Sequence, residues 1–406
     1  MADHTHRAAS AEALSRRVFL ANSAVAAVGL LGASPARLAW AAERTADRRI
    51  RMGVVGGGFG SCLPWHKHPD AVVAGVSDLR SDRREHLMKT FRCETAYESL
   101  EKLILAPDID AVAVYTPAPD HARHVRMVLN AGKHAISAVP LGMTVEECEQ
   151  VLDTVKRTGL TYMMSETSFY RQETITARQW YNEGKFGEIV HVEAEYYHDH
   201  TGPHMAYWQT PEGRTWRYGL PPMHYPSHST AFLTGVTGER ITEVSCMGWG
   251  DDTQALKDNT YKNPFWNCTA LCRTNRGHFA KMSVFWHVQV GFAERATWYG
   301  TKMNYYMPDP RGAGAFVTSA STPPRPQPLI EHWKTDMLPE PLRHDCGHGG
   351  SWTSIVHEFV DSLVKRRRPA IDIYEALAET VPGIIAHQSA MKGGELMKVP
   401  QYEPKA

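Results

Sequence analysis

The sequence predicts an α/β fold in two parts: an N-terminal doubly wound parallel sheet, then a C-terminal α+β domain built on an open, mainly antiparallel sheet. Three observations carry this. Apolar strand-like runs alternate with helical stretches between residues 49 and 165, with short loops between them. A glycine-rich turn closes the first run. Beyond residue 165 the pattern changes to period two over long stretches, as in a sheet with one wet face.

Taken in order, residues 50–55 form a short apolar strand ending in Gly56-Gly57-Gly58, with a helix expected to open near Phe59. A second strand (71–77) precedes a charged helix (80–91), and a third (111–115) precedes a helix at 118–131. Residues 134–139 make another strand. The next helix, 144–157, carries Thr144 with Glu147 three residues on, a capping box. Residues 161–164 close the series. In the second part, 188–198 alternates, and 241–247, 267–274, 279–290 and 293–298 are strand-like, which predicts one open antiparallel sheet. The Pro- and Gly-rich stretch 302–350 has little periodicity and is expected to wrap the surface near the site. Helices at 351–366 and 373–391 end the chain.

Ahead of all this stands Ser15-Arg16-Arg17-Val18-Phe19-Leu20, followed by an uncharged run over 21–33 and the small-x-small triplet Ala39-Trp40-Ala41. This is the layout of a twin-arginine export signal, with cleavage expected before Ala42. The run falls short of the ~20 apolar residues of a membrane span, so no stable membrane insertion of the mature chain is expected. The expected division is therefore 1–41 leader, 49–165 nucleotide domain and 166–406 substrate and oligomerisation domain, in a periplasmic or otherwise extracytoplasmic protein. Acidic and basic residues balance at 44 each, which argues against a nucleic-acid binder. The seven cysteines show no zinc-ribbon spacing and read as core residues.

Gly56-Gly57-Gly58-Phe59-Gly60-Ser61 fits G-x-G-x-x-small, with Ser61 at the place of a third glycine. Glycines there let the backbone turn tightly and approach a pyrophosphate. Asp78 ends the next strand about twenty residues later, where a carboxylate holds the adenosine hydroxyls and repels a 2′-phosphate. NAD is thus favoured over NADP, although Arg80 and Arg83 are placed where an arginine can bind that phosphate. A protein exported after folding carries its nicotinamide with it, so tight binding is expected.

At this point the chain resembles the glucose–fructose oxidoreductase, inositol dehydrogenase and rhizopine-catabolism family. Tyr115-Thr116-Pro117 followed by His121, then Gly132-Lys133-His134 and Pro140-Leu141, are similar to family segments. The resemblance implies a nicotinamide-binding first domain, with Thr116, Pro117 and His121 in the cofactor site, and a carbohydrate or polyol held against the second domain. Where the family commonly has Glu-Lys-Pro, this chain has Ala138-Val139-Pro140, without the lysine that helps take the substrate proton. The NAD-dependent alpha-N-acetylgalactosaminidases also lack it. Met163-Met164, Tyr170-Arg171, 186–191, His198-Asp199, Tyr225-Pro226-Ser227-His228 and Gly347-His348-Gly349-Gly350 resemble that branch.

Hydride transfer from a sugar hydroxyl needs a base beside it. His224-Tyr225-Pro226-Ser227-His228 offers imidazoles at i and i+4, expected one helical turn apart. In the family an Asp and a His hold this relation. His228 is the expected base, Tyr225 the partner of the reacting oxygen, with His224 and Tyr170 as further candidates. His198, Asp199, His200 and His204 superficially resemble a metal site, but no motif completes the set, so no metal is expected and pocket polar residues are preferred. Trp208, Trp216 and Tyr218 offer faces for sugar stacking, and His348 is a further substrate-side candidate. Three functions stay open: a redox-neutral glycosidase, a sugar or polyol dehydrogenase that regenerates its cofactor in the same site, and an inactive saccharide binder. A glycoside or other carbohydrate is the expected small-molecule partner. The open sheet predicts a homo-oligomer.

Overall fold

The computed structural model describes residues 49–201, 208–211, 213–289 and 292–404. The leader and His204 lie outside the described residues. The first sheet has six parallel strands in the order β3-β2-β1-β4-β5-β6: β1 (Ile50–Val55), β2 (Ala71–Ser77), β3 (Ala96–Tyr97), β4 (Ala111–Val114), β5 (His134–Ser137) and β6 (Tyr162–Met164). Every residue of β4 and β5 is buried, as a sheet covered on both faces requires. β1 pairs with β2 on one side and β4 on the other, so the strand order reverses there and leaves a crevice at the carboxyl ends. Helices Ser81–Phe91, His121–Asn130 and Val145–Thr158 complete the layers. The capping box at Thr144 is formed in full, and Gly159 ends that helix in the left-handed conformation that glycine adopts without strain.

One expectation fails here. No helix opens at Phe59; the chain makes only a 3-10 turn, Phe59–Cys62, and a second at Trp65–Lys67. Pro64 accounts for it, because proline disfavours helical backbone at the residue before it, and Leu63 is extended.

The second sheet has nine strands in the order β16-β15-β14-β13-β7-β12-β11-β10-β17. Its centre is β7 (Ile189–His198), β10 (Ile241–Trp249), β11 (Asn267–Thr274), β12 (Phe279–Phe285) and β13 (Phe292–Gly300). The expectation of an antiparallel sheet holds for all pairs but one, since β7 and β12 run parallel. Residues 302–350 do more than wrap the surface. They add β14 (Met303–Tyr306), β15 (Phe316–Ser319) and β16 (Thr322–Pro326) to one edge. The three prolines in Thr-Pro-Pro-Arg-Pro hid this strand from a period-two reading, and an edge is where a sheet tolerates proline. β17 (Met397–Lys398) lies at the other edge, and β8 (Gln209–Thr210) pairs with β9 (Gly213–Arg214) in a separate hairpin. Helices Ser227–Thr237 and Ile373–Met391 lie on the inner face, the former buried at every position. The outer face leaves Met247, Trp249, Leu271 and Phe279 exposed.

Among the described residues no helix is long and apolar enough to cross a membrane. All seven cysteines are free. Five are core residues as expected, whereas Cys62 is exposed and Cys346 half-buried.

Candidate active site

The nucleotide loop sits at the switch point between β1 and β4. Gly56 has φ +100°, and a Cβ there would stand 2.2 Å from the Tyr115 carbonyl oxygen, so only glycine fits. A Cβ on Gly58, by contrast, would meet nothing closer than the Arg83 guanidinium at 4.0 Å. Its face is open for a pyrophosphate to approach, so the residues present fit a dinucleotide. Gly60 packs against the Tyr115 ring, and the Ser61 hydroxyl donates to the Gly58 carbonyl at 2.8 Å. Asp78 Oδ2 accepts the Gly57 N–H at 2.7 Å and Oδ1 accepts the Arg80 N–H at 2.9 Å. The half-buried carboxylate thereby fixes the turn and keeps lone pairs for a ribose. The Arg80 guanidinium hydrogen-bonds Asp82. Thr116 and Pro117 follow β4. His121 is buried, its ring between the Pro140 and Thr116 carbonyls at 2.8 Å each, so it braces two crevice loops from behind. Burial holds it neutral, with one N–H to share between them.

Asp78→Ala removes the acceptor of the Gly57 and Arg80 N–H groups together with the carboxylate expected to hold a ribose. Hydrogen bonds to a charged acceptor are worth ~1.5–3 kcal/mol each. Nucleotide retention through gel filtration should fall sharply, and unchanged retention would show that Asp78 does not hold the ribose.

His228 opens the helix Ser227–Thr237 and lies beneath the second domain's sheet. Its Nδ1 donates to Glu166 Oε1 at 2.8 Å, and both side chains are buried. Burial alone would lower His228. The Glu166 charge and hydrogen bond outweigh it, and the imidazole rises above its ordinary value of 6.5. Burial pushes Glu166 up, but His228 and the Ser168 N–H pull it below the ordinary carboxylate range. The pair therefore favours the charged forms, with Nδ1 committed to Glu166 and Nε2 as the nitrogen not spent on it. Tyr196 stacks on the imidazole at 4.5 Å and Tyr225 lies tilted at 5.0 Å, its hydroxyl hydrogen-bonded to Arg217. Ser168 donates to Glu294 Oε1 at 2.6 Å, and Arg171 pairs with Glu294 at 3.2 Å. The ligand-type atoms of Glu166, His228 and Glu294 fall within 4.8 Å of one another. With the Arg171 cation already beside Glu294, this cluster reads as a proton-holding network.

The structure separates several residues that the sequence had grouped. His224 is not one helical turn before His228: it ends the 3-10 turn Pro222–His224, and Pro226 stands between it and the helix. Its ring faces His387 at 4.9 Å, and burial lowers it to about 3, so it does not join the site. Tyr170 is buried, with its hydroxyl unpartnered and burial pushing it well up; the charges around it belong to Glu358, Arg178 and Glu379. Trp208 is 0 % exposed, hydrogen-bonded to His200 and packed on Trp266 at 4.8 Å, so it is core and no sugar platform. The polar sequence around it had suggested a loop open to solvent. Tyr218 is also buried, under the Arg214 guanidinium. Trp216 is half-buried, with Arg217 over its ring at 4.0 Å. His198 sits at the end of β7 against His200 and Phe292, while Asp199 is spent on Thr201 and His200 stacks on Trp286. His348 reaches the nucleotide loop at Phe59.

Glu166, Ser168, Tyr196 and Glu294 were not singled out by sequence, and Arg171 only as part of a segment that resembles the glycosidase branch. Glu166 carried one usable signal: it follows the last parallel strand, at the carboxyl edge where α/β ligands bind. Glu294, on a distant strand, carried none.

Residues 50–166 match the profile described as "Oxidoreductase family, NAD-binding Rossmann fold", and residues 174–306 match "GFO/IDH/MocA C-terminal domain". The alpha-N-acetylgalactosaminidase of Shewanella oneidensis is 36% identical over 178 residues, 40% of this chain and 38% of that relative. The stretch in common is thus well under half that relative's length. A glycosyl hydrolase family 109 protein of Streptomyces coelicolor is 22% identical over 96% of this chain and 94% of its own. A levoglucosan dehydrogenase solved in complex with NADH superposes with a TM-score of 0.72 at 18% identity, over 87% of this chain and 100% of that one, a likeness of fold. With both domains of the family matched in order, and a Rossmann crevice facing the inner side of an open sheet, the chain belongs to the GFO/IDH/MocA oxidoreductase family.

Proposed function

We propose that the protein is an exported enzyme that holds NAD tightly and hydrolyses a glycoside with no net redox change. The observation that carries this is the buried Glu166–His228 pair, a carboxylate-held base beside Tyr225 in a family that works on hydroxyl groups next to a nicotinamide. NAD, when bound, supplies a reversible hydride acceptor for sugar C3, whose oxidation makes the C2 hydrogen acidic enough for loss of the C1 substituent, addition of water and return of the hydride. His228 Nε2 takes the C3 hydroxyl proton, Glu166 stabilises the resulting imidazolium, and Tyr225 orients the oxygen. Val139 is buried at the position of the family lysine, so His228 acts without that partner. Two relatives with glycosidase names support hydrolysis over net oxidation. Asp78 at the end of β2 supports NAD over NADP.

The Arg16-Arg17 leader supports export in the folded state, and hydrolysis leaves a carried cofactor unchanged. Replacing both arginines by lysine should leave unprocessed protein in the cytoplasm; normal appearance of a form starting at Ala42 would remove the export claim. The exposed apolar side chains on the outer sheet face support assembly of several copies. The functional test is mass spectrometry of purified mature protein for NAD, joined to a screen of chromogenic alpha- and beta-glycosides without added cofactor. Release of the chromophore is expected. A requirement for added nicotinamide or for a second carbonyl substrate would indicate the dehydrogenase, and bound NAD with no turnover a saccharide binder.

A further inference from the structure

We infer that residues 347–352 of the C-terminal domain form a second wall of the nucleotide site, contacting the pyrophosphate side of the cofactor and slowing its release. The inference rests on the NAD binding proposed above and adds to it a segment whose His348 the sequence put on the substrate side. The starting point is what the nucleotide loop lacks. Its glycines lead into a four-residue 3-10 turn, so the row of helix N-terminal donors that usually meets a pyrophosphate is not built there.

The other domain reaches into that place. Phe59, inside the glycine-rich loop, packs edge-on against His348 at 5.8 Å and Trp352 at 6.1 Å, with Tyr115 on a third side at 5.7 Å. The chain that delivers these rings is held in an unusual shape. His348, Gly349 and Gly350 are all left-handed, with φ of 52°, 63° and 79°. Glycine takes this backbone freely, whereas His348 does not, so its ring is held there at a conformational cost. Arg171 covers Gly349, where a Cβ would lie 3.2 Å from its Cζ, and Arg171 also pairs with Glu294. The wall is thus tied to the His228 cluster.

Two donors in this stretch have no acceptor: Ser351 Oγ, wholly buried, and Trp352 Nε1. Buried donors are nearly always satisfied, and two orphans in the segment whose rings pack on Phe59 of the nucleotide loop call for an acceptor-rich anion. A pyrophosphate has that chemistry. Burial keeps His348 neutral, so its ring can pack on Phe59 without bringing a charge to be desolvated.

The experiment measures NAD dissociation from purified holoenzyme, by mass spectrometry of retained nucleotide over time after dilution and gel filtration. His348→Gly removes the ring while placing the residue best suited to φ 52°, so the nucleotide-free fold should melt no lower than wild type. Trp352→Phe removes the orphan N–H and keeps an aromatic face. Each should speed NAD release roughly tenfold, the scale of lost aromatic packing or one hydrogen bond. Release at the wild-type rate from both variants would overturn the inference while leaving the proposed function intact. Wild-type protein that neither carries nor takes up NAD would overturn the proposed function itself.

Discussion

His228→Ala should lower the hydrolysis rate by about 10²–10⁴-fold, the usual share of general base catalysis, while NAD stays bound. The imidazole is spent on Glu166 and makes no hydrogen bond to Gly58 or Asp78, the residues proposed to hold the nucleotide. The alanine variant also leaves Glu166 charged and unpaired in a site with no exposure. Stranding one partner of a buried pair typically costs about 3–5 kcal/mol. His228→Gln, which can still offer Glu166 an N–H, separates the two effects. It should be nearly as inactive as the alanine variant yet melt closer to wild type. Steady-state rates with retained NAD measured alongside check both points. A His228→Gln enzyme with wild-type rate would mean that another group takes the proton.

Glu166→Gln should shift the pH profile in a defined direction. In the wild type the base is active only when His228 is neutral, and Glu166 raises His228 above 6.5. Activity should therefore fall as pH drops through that raised value, giving an acid limb above 6.5. Without the carboxylate charge, burial is the dominant influence left and it lowers an imidazole. The acid limb should then move to lower pH. The plateau rate should fall as well, between about 10-fold and 10⁴-fold, because the imidazolium formed in the reaction loses its counter-charge and its fixed tautomer. A purely structural role for Glu166 would reduce the amount of folded enzyme and leave the limb in place. The pH dependence of kcat/KM decides it.

Much of the fold was legible because it rests on local chemistry. The parallel sheet followed from alternating apolar runs and short loops, and the Thr144–Glu147 box marked a helix start that the structure reproduces. The glycine turn after β1 and Asp78 after β2 fell where the sequence put them, and their mutual hydrogen bond accounts for the spacing. What was misread depends on single prolines or on distant pairing. Pro64 cancelled the helix after the glycine loop, and Pro226 broke the i, i+4 relation between His224 and His228. Trp208 looked exposed by its neighbours in sequence, yet Trp266 and His200 close over it from other strands and loops. The partners of His228 were out of reach for the same reason. Glu166 is 62 positions away and Ser168 meets Glu294 across 126, distances that only the packed domains bring together.

The most direct test of redox-neutral hydrolysis is hydrolysis in deuterated water, followed by mass spectrometry or NMR of the released sugar at C2. Elimination requires removal of the C2 hydrogen, with His228 and Tyr225 serving the oxidation that makes it acidic, so solvent deuterium should appear at C2 while no NADH accumulates. A displacement between two carboxylates never touches that carbon. Complete hydrolysis with unlabelled C2 would contradict the account.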